Sequence, residues 1–237
     1  MTTTTSTFRR SSSNTPHVQL RWSTRVDGDF HRERVPFDEL EQRRRHLVDL
    51  PWTQLDEHHG VGVVTVTLPG HADGSRGDVA ITSAVDAVLG CWVGDCAPIV
   101  LVGAGTQLAV VHAGWRGLAA GIIDIAFAAF DEPVERALLG PVIGPCCYEF
   151  GSVDAAAVAT GVHASIGELM SPTRWGTDGL DVTAAVRAGC SAHGVGVDLL
   201  ADCTGCSFDG FSHRVRAEPE RHVVAAWQVS TGVEVAT

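Results

Sequence analysis

The chain has 237 residues, 45% of them hydrophobic and 19% charged. That is enough apolar content for a real core and too much for a disordered polymer. Seventeen Lys and Arg stand against 28 Asp and Glu, a formal net charge of −11, which excludes non-specific binding to nucleic acid or to an anionic membrane surface.

In chain order, the Thr/Ser-rich start "MTTTTSTFRRSSSNTPH" (residues 1–17) predicts a disordered leader without a secretory apolar region. "VQLRWSTR" predicts a strand ending at Arg25. "PFDELEQRRRHLVDL" predicts a helix, with acids early and bases late to suit its dipole. "VGVVTVTL", "DVAITS", "APIVLVG" and "QLAVVHA" predict strands, the last two joined as a hairpin. Gly117 to Phe130 predicts a buried helix and "ALLGPVIG" a further strand. "SVDAAAVATGVHASI" and "LDVTAAVRAGCSAHG" predict helices, the second capped by Asp181 and stopped by Gly194. "VGVDLLAD" and "HVVAAWQVS" predict closing strands. The order is not a steady βαβα alternation, there is no linker after residue 17, and no internal repeat. The expected fold is therefore α+β, a single domain over residues 18–237 with mixed β-sheet packed by helices. No run of about 18 apolar residues is free of charge, so no membrane span is expected. Seven irregularly spaced cysteines make a poor disulfide framework, and the expected setting is a reducing cytoplasm.

Three stretches put metal-binding side chains at strand ends: "EHHG", "GDCAPIVL" and "VHAGWRG". Cys96 and His112 flank the predicted hairpin, and His59 precedes another strand. A His/Cys/His trio leaves a fourth position open, the pattern of a catalytic zinc. By spacing alone a histidine near a strand is more often a satisfied core or surface residue than a ligand. In the turn after His112, Gly114 and Gly117 permit close approach of a ligand, and Arg116 offers a guanidinium for phosphate or carboxylate. The alternative is an ordinary tight turn with a solvated arginine. "GPVIGPCCYEFG" has the look of a rigid loop lining a site. "CTGC" (Cys203 to Cys206) is a C-x-x-C with no second copy for a zinc ribbon, and "SFDGFSHR" after it reads as loop, so its metal or redox role is set aside. No His-x-His pair for a trinuclear copper cluster and no G-x-S-x-G serine elbow is present.

Taken together, "GDCAPIVL", "VHAGWRGLAAGII", "GPVIGPCCYEFG" and "CTGCSFDGFSHR" resemble the laccase-domain, or multicopper polyphenol oxidase-like, family, over roughly Val18 to Gln228. Bacterial members of that family are also named purine nucleoside phosphorylases or peptidoglycan editing factors. The resemblance implies zinc on His59, Cys96 and His112, with copper as the second candidate. It implies phosphorolysis of adenosine, inosine and methylthioadenosine, with adenosine deamination beside it, in a monomer or homodimer acting on nucleoside and phosphate. Within that reading Arg25, Arg116 and the Gly114–Gly117 turn are candidates for phosphate. Asp95 or Asp78 would orient the ribose or a ligand, Glu57 would serve as general acid/base, and Tyr148 would cover the base. The chain departs from the family pattern at Glu57, where glutamine is usual, at the intervening His58, and at Val215 in place of an arginine. A competing reading makes Cys96 a thiolate nucleophile with His112 as base, cleaving an amide in a cell-wall precursor.

Overall fold

Alternation along the strands decides the architecture. In the computed structural model, which describes residues 16–230 and the backbone of 5–8, thirteen strands and seven α-helices follow one another. They are β1 (Thr5–Phe8), β2 (His17–Trp22), α1 (Phe37–Leu47), β3 (Trp52–Gln54), β4 (Val63–Val66), β5 (Val79–Thr82) and β6 (Val88–Val93). Next come β7 (Ala97–Gly103), β8 (Leu108–Ala113), α2 (Trp115–Ala119), α3 (Ile122–Ala128), β9 (Val134–Leu139), α4 (Ser152–Gly161) and α5 (Ile166–Leu169). The last are β10 (Met170–Pro172), β11 (Asp178–Leu180), α6 (Val182–Ala192), β12 (Val197–Leu199), α7 (His213–Arg216) and β13 (His222–Val229).

Two large sheets form, in the orders β1-β2-β13-β6-β3 and β12-β9-β7-β8-β5-β4, beside a small β10-β11 pair. Side chains on one strand alternate between faces. Ile99, Leu101, Ala109 and Val111 join Leu118, Ile122, Val158 and Val186 in a core under the helices. Their neighbours Val100, Val102, Leu108 and Val110 meet Leu20, Leu89, Cys91 and Val224 of the five-stranded sheet. The far face of that sheet packs Trp52, Val223 and Ala225 against Leu40 and Leu47 of α1. The result is four layers: α1, sheet, sheet, helices. A strand covered on both faces reads as a continuous apolar run, and every residue of β7 and β8 is buried.

The α+β expectation holds, and the β7–β8 hairpin is antiparallel with Pro98 opposite His112. Asp181 caps α6 by accepting from the Ala184 N–H at 2.8 Å. Several boundaries differ. The helix expected over 117–130 is two, because Gly121 turns left-handed (φ 77°) between α2 and α3. The strand expected to run to Arg25 stops at Trp22. The strand expected through "ALLGPVIG" stops at Leu139. β3, β6, α5, the β10–β11 pair and α7 go unrecognised in the sequence: β6 contains Gly90, where a Cβ would lie 3.0 Å from the Trp52 ring. Within the expected disordered leader, Thr5–Phe8 pairs antiparallel with β2, so the expectation fails for those residues; residues 1–4 and 9–15 lie outside the described ones. No helix among the described residues is long and apolar enough to cross a membrane.

One buried cation ties α1 to β3. Arg44 is 1% exposed. It donates to Gln54 Oε1 at 2.9 and 3.1 Å, to both Asp73 oxygens at 3.2 Å, and to Glu41 at 2.6 Å. Removing one partner of a buried pair strands the other's charge, at about 3–5 kcal/mol. Arg44→Met is expected to lower unfolding free energy by about that amount in urea titrations; a loss below about 1 kcal/mol would show the pair to be incidental.

Candidate functional site

The site grows from the edges of β5, β7 and β8. His112 is the penultimate residue of β8, Cys96 immediately precedes β7, and His59 lies in the loop before β4. One donor atom from each lies within 4.8 Å of the others. Cys96 Sγ is 3.6 Å from His59 Nε2, and the two imidazole rings meet edge to face at 4.8 Å. The three residues joined on the sequence resemblance therefore do converge.

Asp78, the residue before β5, orders them. Its side chain is fully buried. Its Oδ1 accepts from the His59 N–H at 2.9 Å and from the His58 N–H at 3.2 Å, and its Oδ2 from the Gly60 N–H at 2.8 Å. Asp78 Oδ1 also faces His112 Nδ1 at 2.9 Å, which turns His112 Nε2 toward Cys96 and His59. Burial opposes the charge on Asp78, but the His112 hydrogen bond and the Gly60 N–H keep its carboxyl below the usual range. His58 Nδ1 approaches Asp78 Oδ2 at 3.1 Å, so His58 is a supporting group and not a third imidazole of the trio. His59 adopts φ 60°, a conformation uncommon for a side-chain-bearing residue; the Asp78 contact to its N–H holds it there.

Burial opposes ionisation of Cys96, yet His112 and His59 bring its thiol down to about 6. The His112 imidazole is correspondingly held well above its ordinary value, against burial, by Glu57 and Cys96. A thiolate between two imidazoles is a soft, metal-competent donor set. Gly114 is fixed by steric need: a Cβ there would lie 2.6 Å from His59 Cδ2 and 3.3 Å from Cys96 Sγ.

The trio opens into a cavity of about 440 Å³, the size of a small-molecule site. Glu57, Asp95, Arg116 and Tyr148, all candidates from the sequence, line it. Glu57 is buried, accepts from the Trp92 N–H at 3.1 Å through Oε1, and has no hydrogen-bond partner for Oε2 among the described residues. Burial raises its carboxyl to about 8, although His112 pulls the other way.

Other expected roles change. Arg25 does not line the cavity: its guanidinium is taken by Glu218 and by the Phe208 carbonyl at 2.8 Å. Gly117 does not either; it lets α2 approach the ligand loop, where a Cβ would lie 3.1 Å from the Gly60 carbonyl oxygen. Asp78 stands behind the trio, not in the cavity. Asp95 (φ 127°) spends both oxygens inside the protein, accepting from Thr204 Oγ1 and from the Arg214 N–H, each at 2.6 Å. Tyr148 has the Arg214 guanidinium over its ring at 4.8 Å, so that face is not free for a base. Burial pushes the Tyr148 phenol up to about 12, so it stays protonated.

Sequence reasoning missed His213, Arg214 and the two tryptophans, Trp92 and Trp115, on the cavity wall. Arg221 lines the wall as well. The signal was present in "FSHR", which reads as loop but forms α7, capped by Ser212 Oγ accepting from the Val215 N–H. Arg116, Arg214 and Arg221 give an acidic chain a local cationic wall.

Asp78→Asn is expected to weaken retention of a metal ion added to the trio about 10–100-fold, measured by competition with a chromophoric chelator. Unchanged affinity would separate the carboxylate from the ligand set.

Comparison with known proteins bears on this geometry. The family model described as multi-copper polyphenol oxidoreductase laccase matches residues 5–228. A Xylella fastidiosa (strain Temecula1) protein named purine nucleoside phosphorylase is 36% identical over 208 residues, covering 79% of this chain and 78% of its own. The Escherichia coli purine nucleoside phosphorylase YfiH is 34% identical over 139 residues, 54% of this chain and 56% of its own. A match to a protein named purine nucleoside phosphorylase from Xylella fastidiosa strain 9a5c likewise spans only 60% of that relative's length. In fold, a Neisseria meningitidis crystal structure superposes with TM-score 0.77 at 22% identity, over 95% of this chain and 99% of its own. YlmD from Geobacillus stearothermophilus gives 0.76 at 21% identity, over 90% and 92%.

Proposed function

Since the chain belongs to the multi-copper polyphenol oxidoreductase laccase family, in which relatives carry the name purine nucleoside phosphorylase, we propose that it is a zinc-dependent purine nucleoside phosphorylase with adenosine deaminase activity. The observation that carries this is the His59/Cys96/His112 trio opening onto a cavity walled by arginines and tryptophans. The donor set fits zinc: two imidazoles and one thiolate, His112 oriented by a carboxylate, and a free side facing the cavity. When bound, zinc supplies Lewis acidity and lowers the pKa of a coordinated water.

The chain's own residues supply the rest. Phosphorolysis brings a phosphate oxygen to the ribose C1′ as the C1′–N9 bond breaks, and the departing purine needs a proton. Arg214, Arg116 and Arg221 neutralise and orient the phosphate. Arg214 is fixed for that task by Asp95 on its N–H and by the Tyr148 ring beneath its guanidinium. The purine plane packs against Trp115 or Trp92. Glu57 holds the proton for the leaving base at Oε2, which makes no hydrogen bond among the described residues and stands 3.6 Å from His112 Nδ1. In deamination the same carboxyl transfers protons between water and the departing ammonia.

Copper-dependent phenol oxidation fits less well. Among the described residues, groups of three or more potential ligands number two, this trio and a set of four cysteines, and neither is a histidine-rich trinuclear arrangement. The thiolate-nucleophile reading has one observation in its favour, the lowered Cys96 thiol. Cys96 nevertheless lies beside two imidazoles, a geometry that favours a ligand role over a nucleophile.

Purified protein is expected to release hypoxanthine from inosine only with phosphate present, and inosine from adenosine without it. Chelation should abolish both and zinc should restore them. Glu57→Gln should lower kcat by about 100-fold or more, and Arg214→Ala should raise the KM for phosphate more than that for nucleoside. Zinc-loaded protein that releases neither product overturns the proposal. Amidase activity surviving metal removal but lost in Cys96→Ala would favour the thiolate reading instead.

A further inference from the structure

"CTGC" and "GPCCYEFG" are separate motifs in the sequence, and the fold joins them. Cys146 and Cys147 sit in a short 3-10 turn after β9, and Cys203 and Cys206 in the loop after β12. One sulfur from each lies within 4.8 Å of all the others. Four Sγ–Sγ separations are 3.7 Å (Cys146–Cys147), 3.8 Å (Cys146–Cys203), 3.5 Å (Cys146–Cys206) and 3.5 Å (Cys147–Cys206). A tetrahedron with zinc–sulfur bonds of about 2.3 Å has sulfur–sulfur edges of about 3.8 Å. All four cysteines are free.

We propose that these four cysteines form a second, closed zinc site, structural in role and separate from the His/Cys/His trio. Three observations support it beyond the sulfur spacing. Two glycines let the loops approach. A Cβ on Gly205 would lie 2.8 Å from Cys147 Cβ and 2.9 Å from its Sγ, and one on Gly144 would lie 3.2 Å from Cys203 Cβ. The Gly144 N–H donates to Cys203 Sγ at 3.1 Å, the kind of outer contact that steadies a metal-bound thiolate. Basic groups stand nearby to offset the charge. Binding converts four thiols and Zn²⁺ into a tetrathiolate of net charge −2, releasing four protons. Arg174 acts electrostatically on Cys206, and Arg216 donates to the Thr204 and Gly205 carbonyls at 3.1 and 3.3 Å.

The site would lie immediately behind the cavity. Tyr148 follows Cys147 directly, and Thr204, inside C-T-G-C, donates to Asp95, which in turn holds Arg214. The ion would therefore fasten two loops that carry the cavity's arginine and tyrosine.

The test is zinc stoichiometry by elemental analysis of full-length protein, purified under reducing conditions, loaded with zinc and desalted. Cys206 is exposed, so Cys206→Ser leaves the core intact. The expected result is two zinc ions per chain in the wild type, and loss of one in Cys206→Ser and in Cys203→Ser. His59→Ala should lose the other, and the His59→Ala/Cys206→Ser double variant both. Cobalt loading should give intense four-thiolate-to-metal absorption that persists in His59→Ala, falls to the weaker single-thiolate band of Cys96 in Cys206→Ser, and vanishes in the double variant, with unchanged circular dichroism. Equal zinc content in the wild type and Cys206→Ser, or four thiols that titrate freely in the zinc-loaded protein, would overturn the proposal. None of these readouts depends on which reaction the trio catalyses.

Discussion

Asp78 holds both histidines of the candidate site through one buried carboxylate. Its side chain faces His112 Nδ1 and takes the backbone N–H groups of His58, His59 and Gly60, while its own carbonyl accepts from the His112 N–H at 2.8 Å. A buried carboxylate survives only when such donors surround it. The donors come from the ligand loop and from β8, so the requirement to satisfy Asp78 fixes where each imidazole stands. Charge satisfaction and ligand geometry are one constraint here.

The rest of the fold makes that constraint rigid. β5 and β8 pair antiparallel inside a sheet with both faces covered, so neither strand can shift without moving two apolar layers. Two of the non-glycine residues with positive φ, His59 and Asp95, stand at the site. Each is held by hydrogen bonds from elements distant in sequence, as strained residues at functional sites are when their surroundings over-determine them. Asp95 extends the order outward: Thr204 and the Arg214 N–H meet on it, linking the C-terminal loop to the cavity.

Features written in local chemistry were legible from the sequence. The continuous apolar runs of β7 and β8, the short turn between them and the Asp181 cap of α6 need no distant partner to be recognised. The trio was legible as three strand-end ligands once the motifs were set beside one another. What escaped depends on long-range pairing. Arg25 looked free for an anion, but its partner Glu218 lies 193 residues away. Asp95 looked free to orient the ribose or a ligand, and its oxygens are claimed from 109 and 119 residues along the chain. The break at Gly121 was hidden because the apolar pattern runs on through it. "CTGC" looked solitary because its complement, the Cys146–Cys147 pair, lies 57 residues upstream of Cys203.

Spacing along the chain separates the two cysteine-bearing centres in another way. Cys96 lies 37 residues from His59, and His112 is reached only across the β7–β8 hairpin. No two of those ligands form a local chelate, so an ion is held there only after the sheet has formed, and its full affinity counts toward the native state. Cys146–Cys147 and Cys203–Cys206, by contrast, are each a pair of sulfur donors close in sequence. They can grip a thiophilic ion while the chain is still unfolded, which dilutes its stabilising effect but gives the loops a meeting point. In nascent protein the sulfur cluster would be the first centre to be occupied, and the His/Cys/His trio the last.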